Sequence, residues 1–286
     1  GHEVMVYDNF SSGKKSFLQN HPSLSITTGD LLDKDLLANS IKEFNPDIVY
    51  HLAAIHYIPA CENDPVFALQ TNVEGTQNVL EAVRNRNCRT IFTSTGGIYD
   101  PENDALLSED SPVATKDIYG LTKNTAEYLI EYHLRKEFGE VAIVRMFNAV
   151  GPRETNPHLI PAILEQIKSG NLRVELGNLY PRRDYVHVRD AADGLYALGM
   201  AEKVPSQVYN IASGVEYSVD GVIGLIADAI GKSLEVVQVK ERMRKHDRPS
   251  QLADLSRIGD EIGWQPKRTL KMAIAEAWQE CQSNKA

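Results

Sequence analysis

Short apolar stretches alternate with helical patterns through the first half of the chain, and this alternation constrains the fold more than any other feature. The strand-like stretches are 4–7, 25–30, 47–54, 88–95 and 141–147. The helical patterns between them are 33–44, 64–86 and 117–138. Strands that alternate with helices pair in parallel, because each crossover helix returns the chain to the same end of the sheet. The sequence therefore predicts an α/β fold with a doubly wound parallel sheet, whose ligands bind beyond the carboxyl ends of the strands.

Polar side chains stand at the ends of three of these strands. Asp8 follows the apolar run 4–7, which we expect to be a buried strand. Asp30 ends the second strand, and the hydroxyl residues 93–95 end the fourth. Because parallel strands end at the same edge of the sheet, we expect these groups to lie on its ligand-binding side.

The local composition of the sequence changes after Phe147, where Pro, Gly and Asn become frequent. The later patterns are a helix from about 157, a strand and helix in 182–201, a strand at 208–213, a helix at 218–230 and a strand at 234–239. At 286 residues the chain is long enough for one large unit or two lobes. We predict a first domain over 1–150 and a smaller C-terminal α/β lobe over 151–286. Residues 184–206 are expected to pack on the first domain.

The composition is that of an ordinary soluble enzyme, with 42% hydrophobic and 24% charged residues. The formal net charge of −9 argues against general nucleic-acid binding, because that function needs an excess of basic residues. Cys61, Cys88 and Cys281 show no metal-binding spacing, so we expect reduced thiols in a cytoplasmic protein and no metal site. No apolar run reaches the ~20 residues of a membrane helix and no signal peptide is visible, so we expect no membrane association.

One helical pattern carries a pair of residues with a chemical use. Tyr119 and Lys123 are four residues apart and project from the same face of the helix. A phenol titrates near 10, and an ammonium one turn away is expected to lower the pKa of Tyr119 toward the working range. The hydroxyl of Thr95 would complete a group of three around one alcohol or carbonyl. With 12 tyrosines in the chain, solvated helix surface is the simpler interpretation of the pair alone.

The order and spacing of several sequence blocks favour the catalytic interpretation. The blocks are VYDNFSSG, GDLLD, HLAA, TNVEGTQNVLEA, FTSTGGIY, YGLTK, RMFNAVGP, RRDYVHVRD and DLSRIGDEIGW. Over essentially its whole length the chain resembles the extended short-chain dehydrogenase/reductase family, in particular nucleotide-sugar epimerases and dehydratases of the UDP-glucose 4-epimerase type. The resemblance implies a Rossmann-like domain that binds NAD over 1–150 and a lobe that mainly binds a nucleotide sugar over 151–286. It also implies that Thr95, Tyr119 and Lys123 are catalytic.

One part of the family pattern is missing from the sequence. Family members begin with a strand and a Gly-x-x-Gly-x-x-Gly turn that holds the cofactor pyrophosphate. Gly1 corresponds to the residue just before the second strand of that pattern. We therefore expect the sequence to be a fragment of a longer enzyme, with an unfilled position in the centre of its sheet.

The resemblance implies a set of NAD-binding residues. Asp8 would accept hydrogen bonds from the adenosine ribose hydroxyls and repel a 2′-phosphate, which favours NAD; a turn or helix cap is the alternative for this residue. Phe147 would pack beside the nicotinamide, with a place in the plain core as the alternative, and Asn72 would be a polar group near the strand ends. The predicted cofactor-binding residues are Asp8, Asn9, Ser11, Ser12, Gly13, Asp30, Leu31, Leu52, Ala53, Ala54, Asn72, Thr93, Tyr119, Lys123 and Phe147.

The same resemblance implies a set of residues that bind a nucleotide-diphosphate sugar. They are His56, Thr95, Asn148, His158, Leu159, Arg183 and Arg248. Arginine suits a diphosphate because its guanidinium is a charged planar fork. The alternatives are a structural ion pair with Asp184 for Arg183 and solvated surface for Arg248. His56 and His158 stand at positions where relatives differ, so sugar recognition is expected to be unusual.

Among the reactions of the family, these residues favour 4-epimerisation of a UDP-glucose/UDP-galactose or UDP-glucuronate type of substrate. Tyr119 would take the C4 hydroxyl proton, Lys123 would lower the pKa of the tyrosine, and Thr95 would hydrogen-bond the C4 oxygen. A 4,6-dehydratase places an Asp–Glu pair after the threonine, where this chain has Gly96 and Gly97. A 4-ketosugar reductase uses the same three residues and stays open, as does a catalytically silent binding module.

A second copy of the chain is an expected partner. By resemblance, helices 64–86 and 117–138 would pair with those of a second subunit as a four-helix bundle. The apolar residues of these helices are equally consistent with packing only on their own sheet, so the homodimer stays an expectation.

Overall fold

The computed structural model describes residues 1–103, 106–134, 139–243 and 248–283. The backbone forms two compact units whose segments interleave along the chain. Unit 1 comprises Gly1–Ile98, Thr115–Val144 and Leu198–Val208. Unit 2 comprises Tyr99–Ala114, Arg145–Ala197 and Tyr209–Ala286. No single chain boundary near residue 150 therefore separates these units.

Unit 1 is built from parallel strands and the helices that connect them, as the sequence predicts. Its strands are β1 (Val4–Asp8), β2 (Leu24–Thr28), β3 (Ile48–His51), β4 (Arg89–Thr95) and most of β5 (Val141–Met146). Its helices are α1 (Lys34–Phe44), α2 (Ile58–Asn63), α3 (Pro65–Leu69), α4 (Gly75–Val83) and α5 (Ile118–Leu134). The end predicted for the last of these helices, 135–138, lies outside the described residues.

Two sheets carry these strands. β1 pairs with β2 in parallel, and β3 pairs with β4 in parallel within a sheet of order β3-β4-β5-β9, where β9 is Val208–Ile211. Apolar side chains of the strands and helices form the core of unit 1, including Leu37, Ile41, Val79, Leu80, Val83, Phe92, Ala126, Ile130 and Ile143. The ends of β1, β3 and β4 thus belong to the same compact unit.

β1 is not the buried strand that its apolar sequence predicts. Val4 is 47% exposed, and the other residues of the strand are half-buried. Among the described residues β1 pairs only with β2, so the apolar run lacks the neighbour on its second edge that a central strand has.

The helix predicted over 64–86 consists of three consecutive segments. α3 continues through a π-helical segment, Gln70–Glu74, into α4. The side chain of Asp64 accepts a hydrogen bond from the Phe67 N–H and caps α3, with Pro65 at the first helical position. π-helical segments are often found at functional sites, and this one contains Asn72.

Unit 2 is a second α/β unit, as predicted for the C-terminal lobe, although it is no smaller than unit 1. Its strands are β6 (Asn148–Val150), β7 (Arg173–Leu176), β8 (Arg182–His187), most of β9, β10 (Glu216–Ser218) and β11 (Glu235–Gln238). Its helices are α6 (Leu159–Lys168), most of α7 (Val188–Met200), α8 (Val219–Ile230), α9 (Ser256–Ile262) and α10 (Leu270–Ser283). The core includes Ile160, Ile163, Val222, Ile226 and Ile274.

β8 pairs with strands of unit 2. β8 pairs in parallel with β6 and antiparallel with β10, while β7 pairs in parallel with β11. Because its neighbours belong to unit 2, β8 belongs there as well, and only 198–206 of the stretch 184–206 lies in unit 1. No helix in the described ranges combines the length and the apolar character needed to cross a membrane.

Arg89 ties the start of β4 to the end of α7 within unit 1. Its Nη1 donates to the carbonyls of Leu198 at 3.1 Å, Gly199 at 2.9 Å and Ala201 at 2.5 Å. Its Nε lies 2.7 Å from a carboxylate oxygen of Glu140, and only 13% of the Arg89 side chain is exposed. One guanidinium therefore satisfies carbonyls at the end of a helix, where intrahelical donors are lacking.

Replacing Arg89 by methionine is expected to lower the free energy of unfolding by about 2–4 kcal/mol, because these carbonyls lose a charged donor. Urea unfolding followed by circular dichroism measures the change. The control is Arg84→Met: the Arg84–Glu81 pair is about half exposed, so its loss should cost about 0.5 kcal/mol or less. Equal losses for the two variants would contradict the clamping role of Arg89.

Candidate active site

Thr95 and Tyr119, two of the predicted catalytic residues, lie close together in unit 1, where hydrogen bonding by the Thr95 side chain favours the ionised form of the Tyr119 hydroxyl. β4 ends at Thr95, and a 3-10 turn, Gly96–Ile98, follows. The N–H of Gly97 donates to Thr95 Oγ1 at 3.1 Å. This oxygen keeps a second lone pair and its own proton for a further hydrogen bond. The pair can therefore exchange a proton with a third oxygen atom.

Two carboxylates fix the first turn of α5, which carries Tyr119. Asp117 accepts a hydrogen bond from the Gly120 N–H at 2.7 Å, and Glu62 accepts one from the Ile118 N–H at 2.9 Å. Carboxylates stabilise the start of a helix because they satisfy its free N–H groups and complement its dipole. Tyr119 is the second residue of the helix, so these contacts also fix the position of its backbone.

The pKa of Tyr119 changes in the direction opposite to the prediction. Tyr119 is half-buried as a whole residue, and burial of its hydroxyl raises its pKa. The Thr95 hydrogen bond opposes this rise, whereas Cys61 and Asp117 add to it. Lys123 was expected to lower the pKa, but burial lowers the pKa of Lys123 itself to about 7. Its charge is therefore only partly present at neutral pH, so the predicted effect of Lys123 on the pKa of Tyr119 is weakened.

Lys123 lies in the interior of unit 1 with 2% of its surface exposed. Its Nζ is 4.1 Å from the centroid of the Phe92 ring, a cation–π arrangement. Burial lowers the pKa of Lys123, and the charge of Glu127 opposes this effect. Glu127 is also buried and accepts a hydrogen bond from Ser94 Oγ. The charge state of Lys123 thus depends on β4 and α5 together.

Asn72 connects the π-helical segment to the turn after β3 and to α5. Its Oδ1 accepts a hydrogen bond from the Ile55 N–H at 2.7 Å, and its Nδ2 donates to the Ile55 carbonyl and to Thr122 Oγ1, both at 2.9 Å. Thr122 Oγ1 donates in turn to the Tyr119 carbonyl at 2.8 Å. With 1% exposure and both amide protons used, Asn72 is not placed to donate to a cofactor, in contrast to its prediction as a cofactor-binding residue.

The predicted adenosine-binding residues lie at the ends of β1 and β2. Asp8 Oδ1 accepts a hydrogen bond from the Phe10 N–H at 2.6 Å, so the turn cap considered for Asp8 is present. Asn9 Nδ2 donates to a carboxylate oxygen of Asp30 at 2.7 Å. The residues that continue this edge are exposed: Asn9, Ser11, Ser12 and Gly13. Leu31 is buried in the core cluster of this unit, and not on the exposed edge. Neighbouring carboxylates beside exposed small residues suit the hydroxyl donors of a ribose.

The turn after β3 carries the small residues that were predicted to face the cofactor. Leu52 is 54% exposed, Ala53 is exposed and Ala54 is half-buried, while His56 is exposed further along the turn. At the end of β4, Thr93 Oγ1 is buried without a hydrogen-bond partner among the described residues. A buried hydroxyl without a partner is unusual, so Thr93 retains hydrogen-bonding capacity that no described residue uses. The residues of these strand ends therefore fit a dinucleotide.

Phe147 lies in the core of unit 2, which is the alternative to a place beside the nicotinamide. It is 4% exposed and its ring centroid is 6.3 Å from that of Tyr99.

Three of the predicted substrate residues lie at the starts of β6 and α6. Asn148 is exposed at the start of β6, and its Nδ2 donates to the Asp184 carbonyl at 3.2 Å. His158 and Leu159 stand at the start of α6, where His158 Nδ1 is 3.5 Å from a carboxylate oxygen of Glu154 and Leu159 packs partly on the core.

Arg248 is buried, which excludes the solvated surface considered for it. With 9% exposure, it donates to the carbonyls of Tyr99, Asp100 and Asn103 at 3.2, 2.7 and 3.0 Å. Its Nε is buried without a partner among the described residues. Arg183 Nη1 donates to the Arg248 carbonyl at 2.7 Å. Burial and the charge of Arg183 lower the pKa of Arg248 to about 10, while the charges of Asp100 and Tyr99 oppose this shift.

Asp184 has a structural role that the sequence did not predict. The carboxylate is fully buried and accepts hydrogen bonds from the Ser213 N–H and hydroxyl at 2.7 and 2.6 Å and from the Gly214 N–H at 2.9 Å. It therefore holds the turn that follows β9.

Three buried groups near the predicted catalytic residues were also missed: Ser94, Glu127 and His51. His51 Nε2 is 2.9 Å from Thr76 Oγ1, and burial together with the charge of Lys123 lowers its pKa to about 3, so His51 is neutral at physiological pH. The sequence did hold a signal for Glu127, because it follows Lys123 by one helical turn. Nothing in the sequence marked Ser94 or His51.

Residues 1–212 match the NAD dependent epimerase/dehydratase family. The chain belongs to this family. The GDP-6-deoxy-D-mannose reductase of Pseudomonas aeruginosa is 32% identical over 254 residues, which are 86% of this chain and 83% of that protein. The UDP-glucose 4-epimerase of Mycolicibacterium smegmatis is 29% identical over 285 residues, which are 96% of this chain and 90% of that protein.

A solved structure agrees with these sequence relationships. The UDP-glucose 4-epimerase of Thermus thermophilus in complex with NAD has a TM-score of 0.86 and 25% identity, over 98% of this chain and 91% of that chain. The predicted family, the Rossmann-like α/β fold and NAD as the cofactor are thus confirmed. The related proteins include epimerases, reductases and dehydratases of nucleotide sugars. Family membership therefore indicates an enzyme of nucleotide-sugar chemistry without specifying which of these reactions it catalyses.

Proposed function

We propose that the protein is an NAD-dependent nucleotide-sugar 4-epimerase of the UDP-glucose/UDP-galactose or UDP-glucuronate type. The observation that carries the proposal is the proximity of the Thr95 and Tyr119 side chains at the end of β4, directly before Gly96 and Gly97. Two hydroxyls supply the proton transfer that oxidation and re-reduction of a C4 hydroxyl need. Glycines cannot supply the additional acid and base that elimination of water needs, which disfavours a dehydratase.

Tyr119 is the proposed acid and base of the reaction. Its raised pKa keeps the proton on the phenol at neutral pH, which suits protonation of a C4 ketone oxygen. The Thr95 hydrogen bond and the ammonium form of Lys123 favour the phenolate, which takes the proton from a C4 hydroxyl. Thr95 also hydrogen-bonds the C4 oxygen as its charge changes. NAD, when bound, supplies the acceptor and donor of hydride at C4.

The cofactor is proposed to lie along the strand ends of unit 1. Asp8 at the end of β1 favours NAD over a cofactor with a 2′-phosphate, because a carboxylate repels that group. The unpartnered hydroxyl of Thr93 and the exposed small residues 52–54 are the other proposed contacts. Asn72 is proposed to act indirectly, by holding the turn at Ile55 and the backbone of Tyr119.

Arg183 and Arg248 are the proposed ligands of the substrate diphosphate. Two neighbouring guanidinium groups, one of them with a free buried Nε, are stabilised when an anion neutralises them. The remaining proposed substrate residues are His56, Asn148, His158 and Leu159.

A 4-ketosugar reductase is the second candidate, favoured by the 32% identity to the Pseudomonas reductase. It would use the same Thr95, Tyr119 and Lys123 but would consume a reduced cofactor in every turnover. An epimerase regenerates NAD and needs no added reductant.

The exposed surface of α3 and α5 supports a homodimer. These helices pack against each other, and both expose large apolar side chains: Val66, Phe67, Leu69, Leu121, Tyr128 and Tyr132. Exposed apolar patches of this kind mark protein interfaces. We assign this surface, the α3/α5 surface, to a second copy of the chain.

Replacement of Tyr119 by phenylalanine tests the enzymatic proposal. The protein is incubated with UDP-glucose, UDP-galactose, UDP-glucuronate and dTDP-glucose without added NADH, and the configuration at C4 is followed by NMR. We expect inversion at C4 with the parent protein and a loss of about 10²–10⁴-fold or more in rate with Tyr119→Phe, because the phenolic proton donor is gone.

Tyr128→Phe is the matched control, since Tyr128 is 61% exposed and lies nine residues after Tyr119 on α5, so loss of its hydroxyl should leave the rate unchanged. A 4-keto-6-deoxy product would contradict the proposal and indicate a dehydratase. Consumption of a 4-keto sugar only with NADH would indicate the reductase.

Replacement of Tyr128 by glutamate tests the α3/α5 surface. We expect the variant to elute as a monomer in size-exclusion chromatography with light scattering, because a charge would be buried in the interface. Tyr196→Glu is the control, because Tyr196 is similarly exposed, at 52%, on α7. A dimer that survives Tyr128→Glu, or a parent protein that is already monomeric, would contradict the assignment.

A further inference from the structure

A buried carboxylate accompanies the buried ammonium of Lys123. Glu127 lies one turn after Lys123 on α5, and the two residues are 3% and 2% exposed. Ser94 Oγ donates a hydrogen bond to Glu127 Oε1, and Ser94 is itself 1% exposed. Ser94 directly precedes Thr95, so one end of β4 contacts both the carboxylate and the proposed catalytic tyrosine.

The groups around Lys123 differ in their effect on its charge. Phe92 on β4 presents its ring to Nζ, and Glu127 on α5 supplies a negative charge. His51 on β3 is neutral at physiological pH, because burial lowers its pKa to about 3. Tyr119, one turn before Lys123 on α5, is neutral as well, since burial raises its pKa. Among these neighbours, Glu127 is therefore the group that balances the ammonium.

We infer that Glu127, whose carboxylate is held by Ser94, is a positioning residue that keeps Lys123 protonated and in place behind Tyr119. This role rests on the proposed function, because a protonated lysine is useful there only if Tyr119 exchanges a proton with the substrate. Neither residue is placed to contact a substrate, since both are buried.

The charge of Glu127, and not its shape, is the essential property under this inference. Glu127→Gln keeps the size of the side chain and an oxygen that accepts the Ser94 hydrogen bond, but it removes the charge. The ammonium would then be buried without a counter-charge, so Lys123 would release its proton at a lower pH than in the parent protein.

The melting temperature as a function of pH tests whether the charge of Glu127 stabilises protonated Lys123, and it needs no substrate or cofactor. Below about pH 7 Lys123 is charged in the folded protein, so the parent gains from Glu127 and the variant does not. Above that pH the folded protein has released the proton while the unfolded chain retains it, so the benefit of the counter-charge fades. We expect Glu127→Gln to melt roughly 4 °C or more below the parent at pH 6, and within about 2 °C of it at pH 9.

A merely structural Glu127 would give the same deficit at both pH values, and that result would overturn the inference. Glu131→Gln, which removes a half-buried carboxylate one turn further along α5, is the control and should show no such pH dependence. Ser94→Ala keeps both charges, so it should retain the pH dependence of the parent. If Glu127→Gln fails to fold, Glu127→Asp replaces it and should also follow the parent, because it keeps the charge.

The pH profile of turnover is the second readout. We expect the alkaline limb of kcat to move to lower pH by about one unit in Glu127→Gln and to return toward the parent in Glu127→Asp. An unshifted limb would overturn the inference. Absence of C4 inversion in the parent would instead refute the proposed function, and the melting curves would still decide the role of Glu127.

Discussion

The burial of the Lys123 ammonium is the constraint on which the interior of unit 1 depends. A charge removed from water is costly unless fixed groups replace its hydration. Here β4 supplies Phe92 and Ser94, which are two residues apart and therefore point to the same face of the strand. The ring contacts the ammonium, and the serine hydroxyl holds the carboxylate of Glu127. The same strand then ends at Thr95, so the groups that stabilise the charge also position the hydroxyl that meets Tyr119.

The protein moves the pKa values of Tyr119 and Lys123 in opposite directions through one physical cause. Burial disfavours charge, so the phenol holds its proton more firmly and the ammonium releases its proton more easily. Lys123 is left near neutrality, where small changes in its surroundings decide its charge. Such tuning is typical of active sites. Glu127 and Asn72, which lie next to the proposed catalytic groups, are themselves fixed by hydrogen bonds to Ser94 and Thr122.

The sequence predicted what depends on local pattern. The order of strands and helices in unit 1 follows from alternating periodicities, and the Tyr119–Lys123 spacing places both residues on one helix face. Properties that depend on the number and kind of tertiary neighbours were missed. The apolar β1 is partly exposed because it has one strand neighbour among the described residues. The pKa of Tyr119 rises because burial outweighs the effect of a lysine that is itself only partly charged. Arg248 in a charged loop is buried because carbonyls of distant residues surround it, which no local pattern reveals.

The central claim is that a hydrogen leaves C4 of a nucleotide sugar and returns to the same carbon. The most direct test is incubation of the protein with UDP-glucose carrying deuterium at C4, in ordinary water without added reduced cofactor, followed by NMR of the product. The account predicts a C4 epimer that retains the deuterium at C4. Solvent hydrogen at C5 with loss of the C6 hydroxyl, or deuterium released from the sugar into free reduced cofactor, would contradict it.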